Sequence, residues 1–296
     1  MQVKLKNRIA TSNHILSLYP IHEAADILGK TGYDAMEIWA EELELQVRQR
    51  TTSVAKIKAV LKKRGMAGAM HAPLRELIAK EPYKYNICSK DATLREMSIK
   101  RTLDALDFAK ALGFGIVVMH PGHTDSPDDK VDMQYWELQV DAFQKIARHA
   151  ENLGVKVGLE TMEHRPKEFI TESKHVDKIL KAVNSPNLGV TFDLIHAYTH
   201  GVDRPIELLD SHHPNIFHVH ISGHSKDKTH VPFSMTIIHH FYLDKVLERL
   251  VKNYSGMISI EGHTKGIVEQ TKYHQKQVVK ENLEYLHREM KSLHRE

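Results

Sequence analysis

Residues 94–120 read LREMSIKRTLDALDFAKALGFGIVVMH, and this stretch holds one complete unit of the fold. Leu103, Leu106 and Ala109 recur at helical spacing, so Leu94–Leu112 is expected to form an amphipathic helix. Gly113 follows where a left-handed residue closes a helix. A short apolar, β-prone run then covers Ile116–His120 (IVVMH) and ends on a residue type that binds metals. A continuous apolar strand, rather than an alternating one, belongs to a parallel sheet buried on both faces.

The unit recurs in both directions along the chain. Strands are expected at Arg8–Ser12, Ala35–Trp39, Met66–His71, Lys156–Thr161, Leu188–Asp193, Ile216–Ser222 and Met257–Glu261. Gly29, Gly65 and Gly154 stand where helices are expected to end just before a strand, and Thr271–Lys291 reads as a closing helix. No linker or low-complexity tract interrupts the pattern. Eight strand–helix repeats predict an α/β fold, a single (β/α)8 TIM barrel over residues 1–296.

Composition narrows the function classes. With 41% hydrophobic and 27% charged residues, the 296-residue chain has ample material for a core. A net charge of +3 from scattered basic residues neither requires nor excludes a nucleic-acid partner. The single cysteine, Cys88, rules out a disulfide framework and suits a reducing cytoplasm. No run approaches the roughly 20 apolar residues of a membrane span. The opening MQVKLKNRIA lacks the apolar segment of a signal peptide, so a cytoplasmic protein is expected.

Twenty-two histidines are many for this length, and their positions carry the argument. Barrel enzymes place their chemistry where strands end. Here the third strand ends in His71, the fourth in His120, the fifth at Glu160 and the sixth in Asp193, with His196 three residues on. The seventh carries His218 and His220, its loop holds His224 and His230, and the eighth ends in Glu261. A lone histidine at a strand end is more often structural than ligating. Ligand types on successive strands are a different matter, because they converge inside a ring about 15 Å across. Mixed imidazole and carboxylate groups suit Zn²⁺, Mn²⁺ or Co²⁺ better than Ca²⁺. His218 and His220 share one side of their strand; His220, nearer the mouth, is the better ligand, and His218 is expected in the core or behind the ligands. His123, His224 and His263 lie in loops beside the mouth, where substrate contact and plain exposure are equally open.

The motifs MHAPL, VVMHPG, GLETM, VTFDLIHA, HVHIS and ISIEGH together resemble the xylose isomerase-like barrel superfamily, which includes endonuclease IV and sugar (phosphate) isomerases and epimerases. The resemblance covers about Arg8 to Glu261. It implies a carboxylate–Asp–His–carboxylate metal site at Glu160, Asp193, His220 and Glu261. Endonuclease IV adds further zinc sites. The resemblance would place one on His71 and His120, bridged by Glu160, and another on His196, His230 and an aspartate two residues before that histidine. Lys228 stands at that position, with Asp227 one step off, so a binuclear cluster is the expectation and a third ion lacks one ligand. The chain also reads HVPFSMTIIHHF where this superfamily often has a glycine-rich loop.

Two chemistries follow. In the first, two or three zinc ions hydrolyse a phosphoester, with Glu160 and Glu261 as catalytic residues and abasic DNA as a candidate substrate. Arg165 and Lys167, or Lys226 and Lys228, could then meet DNA phosphates, although solvated loop charge is the plainer reading. In the second, one ion (Mn²⁺, Co²⁺ or Mg²⁺) serves a sugar or sugar-phosphate isomerase or epimerase. Glu160 and Glu261 would exchange a carbon-bound proton, His196 would hold a hydroxyl, and Trp39 would stack on the sugar. His123 and His224 are further candidate substrate contacts. A metal-binding protein without catalysis, or a partner subunit of a larger enzyme, is the third reading.

Overall fold

A computed structural model describes residues 7–77, 84–201, 204–225, 228–235, 240–262 and 271–293. Lys226, Asp227 and His263 lie outside them. The strands are β1 (Arg8–Ser12), β2 (Ala35–Trp39), β3 (Ala67–His71), β4 (Ile116–Met119), β5 (Lys156–Glu160), β6 (Leu188–Asp193), β7 (Ile216–Ile221) and β8 (Met257–Ile260). All pair in parallel, each with the next, and β8 returns to β1 to close the barrel. Among the described residues ten α-helices surround them: α1 (Ile21–Thr31), α2 (Ala40–Arg48), α3 (Val54–Arg64), α4 (Ala92–Leu112), α5 (Met133–Leu153), α6 (Ser173–Val183), α7 (Leu194–Tyr198), α8 (Arg204–His212), α9 (His240–Asn253) and α10 (Lys272–Ser292).

Local signals explain the helix limits. Asp91 caps α4 by accepting from the amides of Thr93 and Leu94, and Thr271 caps α10 by accepting from His274 N–H. Gly65, Gly113 and Gly154 end their helices in left-handed conformation, as the sequence predicts. Gly29 does not. Helix α1 continues through it to Thr31 and is closed by Gly32, at φ 110°. Gly29 instead allows close approach: a Cβ there would lie 2.8 Å from Arg64 and 2.9 Å from the Met66 sulfur.

Inside the barrel, the bottom is filled by Ala10, Ala35, Ala69, Ile116 and Met257. The rest of the hydrophobic core lies between strands and helices, with Met36, Ile38, Val117 and Leu159 pointing outward into it. Side chains alternate along a strand, so the opposite parity faces the axis. That parity carries Glu37 and Trp39 on β2, Gly158 and Glu160 on β5, and Thr191 and Asp193 on β6. A register irregularity between Val190 and Thr191 sets His218 opposite Thr191 and His220 opposite Asp193. Both histidines therefore point inward, one above the other.

Candidate metal centre

His71, His120, Glu160, Asp193, His220 and Glu261 stand within one residue of the C-terminal ends of their strands, whereas His196 lies on the short helix that follows β6 and His230 in the loop after β7. His71, Glu160, Asp193 and His220 are fully buried, and His196 and Glu261 nearly so. Their ligand atoms fall into overlapping groups, each within 4.8 Å: His71, His120 and Glu160; Glu160, Asp193, His220 and Glu261; and Asp193, His196 and His230. Every residue predicted as a metal ligand is in one of these. The third group is completed by Asp193, not by a residue at position 228. Lys228 is exposed, and its carbonyl closes a turn by accepting from Ser225 N–H at 2.8 Å.

Hydrogen bonds behind the ligands decide which atoms face the centre. His71 Nδ1 lies 2.7 Å from the carbonyl of Ala72, which leaves Nε2 facing Glu160 Oε2 at 3.8 Å. His120 Nε2 approaches the same oxygen at 3.4 Å. The other oxygen, Glu160 Oε1, is 3.4 Å from His220 Nδ1 and 3.1 Å from His196 Nδ1. His220 Nδ1 is also 3.0 Å from Glu261 Oε2 and 3.8 Å from Asp193 Oδ2. His196 Nδ1 lies 3.0 Å from the Thr161 carbonyl, and its Nε2 stands 3.3 Å from His230 Nε2. His230 adopts φ 54°, a left-handed backbone that turns its ring back over the mouth.

The donor set fits a cation. Both oxygens of Glu160, Asp193 Oδ2, Glu261 Oε2, His71 Nε2 and His220 Nδ1 are buried, yet none makes a hydrogen bond of acceptable geometry. Buried polar atoms left this way are costly, and a divalent ion satisfies them together. The proton balance points the same way. Burial disfavours charge on His220, but Glu37, Glu261 and Glu160 outweigh it and push the imidazole well above its usual range. His196 is likewise driven up to about 10, against burial, chiefly by Asp193 and Glu160. Protons held so tightly by a carboxylate cluster are what a bound cation displaces.

Above the ligands lies a cavity of about 400 Å³, lined in part by His14, Trp39, Glu41, Arg75, Arg165 and His230. Trp39 contributes an edge, not a face. Its ring is stacked on His71 at 3.9 Å on one side and His14 at 4.0 Å on the other. Stacking on a sugar would require displacing one of them. Among the described residues, His123 and His224 lie outside the cavity lining. Lys167 donates to the Asp125 carbonyl at 2.7 Å, and Arg165 pairs with Glu163 beside the mouth.

Several residues escaped the sequence reading, among them Glu37 and, in the cavity lining, His14, Glu41 and Arg75. Glu37, in the middle of β2, is fully buried and hydrogen-bonded to both His218 and His220. The signal was present, since a carboxylate at the inward parity of an apolar strand needs a buried partner.

The motifs, the closed barrel and the ligand geometry agree with a match to the xylose isomerase-like TIM barrel family over residues 25–289. The chain belongs to that family. An uncharacterized protein of Methanocaldococcus jannaschii is 30% identical over 218 residues, 73% of this chain and 69% of that one. A probable endonuclease 4 of Ureaplasma urealyticum is 28% identical over 131 residues, 44% and 41% of the two chains. The fructoselysine 3-epimerase of Escherichia coli O157:H7 is 23% identical over 219 residues, 72% and 76%. Among solved structures, an L-ribulose 3-epimerase superposes with a TM-score of 0.77 at 14% identity, covering 98% of this chain and 96% of its own. That likeness concerns the fold. Members of the family are thus enzymes of differing chemistry, and among the described residues no helix is long and apolar enough to cross a membrane.

Proposed function

We propose that this family member is a divalent-metal-dependent hydrolase that cleaves a phosphoester at a centre of two or three ions, Zn²⁺ foremost. One observation carries this reading: Glu160 turns one oxygen to His71 and His120 and the other to His196 and His220. A carboxylate so placed joins two ligand sets, and a one-ion site has no use for the first. When bound, such ions supply Lewis acidity toward a phosphoryl oxygen and acidify an attacking water. The chain's own contribution is to hold the ligands in fixed orientation and to surround the centre with buried walls. Arg75 and Arg165 line the cavity and place positive charge where a phosphate would enter. The likeness to a probable endonuclease 4 supports DNA as the phosphoester. The test is cleavage of a duplex bearing one abasic site, with Zn²⁺, Mn²⁺ or Co²⁺, alongside the metal content per chain. Two or three ions with cleavage are expected. An intact duplex under every metal would sink the nuclease assignment.

A second reading rests on a separate observation. Glu160 Oε1 and Glu261 Oε2 flank His220 Nδ1 at 3.4 and 3.0 Å, so two carboxylates border the place of one ion. That arrangement suits proton exchange at a carbon beside a carbonyl, as in a sugar epimerase. His196 would hold a substrate hydroxyl, and the likeness to fructoselysine 3-epimerase supports this version. Solvent deuterium should then enter a ketose, and Glu261→Gln should abolish that exchange. Exchange retained by the variant would eliminate the assignment.

A further inference from the structure

Beneath the ligand groups lies an arrangement that the chemistry above does not use. Glu37 Oε2 is 2.8 Å from His218 Nε2 and 3.0 Å from His220 Nε2, and Glu37 Oε1 is 3.1 Å from His220 Nε2. All three side chains are fully buried. They come from β2 and β7, which β8 and β1 separate in the closed barrel, and their side chains meet inside it.

These residues could themselves be taken for a cation site, since their atoms also lie within 4.8 Å of one another. Bond satisfaction separates the two possibilities. The Nε2 atoms of His218 and His220 already have hydrogen-bond partners in Glu37, at ordinary lengths. On the mouth side, His220 Nδ1 has no hydrogen bond, and unsatisfied oxygens of Glu160 and Glu261 face it. The ion belongs above the His220 ring and the hydrogen bonds below it.

We propose that Glu37 is a positioning residue that holds His220 as an Nδ1 metal ligand, with His218 bracing the carboxylate from below. Glu37 accepts the Nε2–H of His220, which leaves the Nδ1 lone pair directed at Glu160, Asp193 and Glu261. A carboxylate in this place also makes the imidazole a stronger donor. His218 gives its own Nε2–H to Glu37 Oε2, so the carboxylate cannot rotate without breaking a second buried bond. The inference rests on His220 being a metal ligand and is independent of whether the reaction is hydrolysis or epimerisation.

The test is zinc affinity, measured by competition with a chromophoric chelator, for the full chain and for Glu37→Gln. The variant keeps the volume and loses the charge, so the ion on His220 should bind about 10–100-fold more weakly. An ion held by His71 and His120 should change much less, a selectivity that general destabilisation would not produce. Cadmium-113-loaded protein with ¹⁵N-histidine gives a readout that needs no variant: the metal should couple to His220 Nδ1, with the proton on Nε2. Coupling to Nε2, or affinity in Glu37→Gln within twofold of the parent, would overturn the positioning role and leave the metal centre standing. Failure of the parent chain to bind zinc or cadmium would overturn the metal-centre reading, and this one with it.

Discussion

Glu168 shows how one buried carboxyl near the mouth couples the protein to pH. Its Oε2 is buried without a hydrogen bond. Burial pushes the carboxyl up to about 7 from 4.5, against the pull of Lys84, His196 and Arg165. The sign follows directly. Below pH ~4.5 the group is neutral in both folded and unfolded chains and has no effect. As pH rises toward 7, the unfolded chain releases the proton first, so stability falls; above 7 the loss is complete. Glu168→Gln should therefore leave the Tm unchanged near pH 4.5 and raise it at pH 8. With allowance for solvent screening, the gain is about 1–2 kcal/mol. Thermal unfolding of both proteins at the two pH values checks it, and an equal Tm at pH 8 would contradict the assignment. Contrast Trp39: its faces are taken by His14 and His71, so its contribution to the mouth is rigidity beside a candidate ligand.

Single strands explain how the centre is held together, and β5 is a tightly constrained one. Gly158 lies one inward layer below Glu160, where a Cβ would collide with Thr191 Oγ1 on β6. Gly158→Ala should therefore destabilise the fold by about 1–3 kcal/mol, the usual range for overpacking. Because the obstacle is the hydroxyl, which has no hydrogen-bond partner, adding Thr191→Ala should recover most of the loss. Denaturant titration of the two single variants and the double variant measures the coupling. Additive effects would show that the contact does not limit β5. At this scale the sequence was highly legible. All eight strands and the caps at Gly65, Gly113 and Gly154 follow from local apolar runs and turn chemistry. Gly29 was misread because its reason is tertiary, the contact with Arg64 and Met66, and no local pattern encodes that. Glu37 was missed for a related reason. Its partners lie 181 and 183 residues away, and only barrel closure brings them together.

At the scale of the whole molecule, the candidate ligands come from strands or loops on six of the eight barrel units, so a bound ion would tie distant chain segments to one another. Ligation of that kind is also folding energy, since the unfolded chain holds no such site. A metal present at 100 times its dissociation constant adds about 2.7 kcal/mol. In chains of this size each kcal/mol moves the Tm by roughly 2–4 °C. Removing metal with a chelator should thus lower the Tm by about 5–10 °C, and restoring zinc should reverse the change. The effect should itself depend on pH. Metal-free His196 holds a proton up to about pH 10, and the neighbouring carboxylates keep His220 protonated beyond its usual range. Binding must expel these protons, so zinc affinity should climb from pH 6 to pH 8 by about tenfold per pH unit for each proton released. The chelator-induced drop in Tm should widen accordingly. Affinity that is flat across this interval would mean that the ion sits away from His196 and His220, and the bridging role of Glu160 would fall with it.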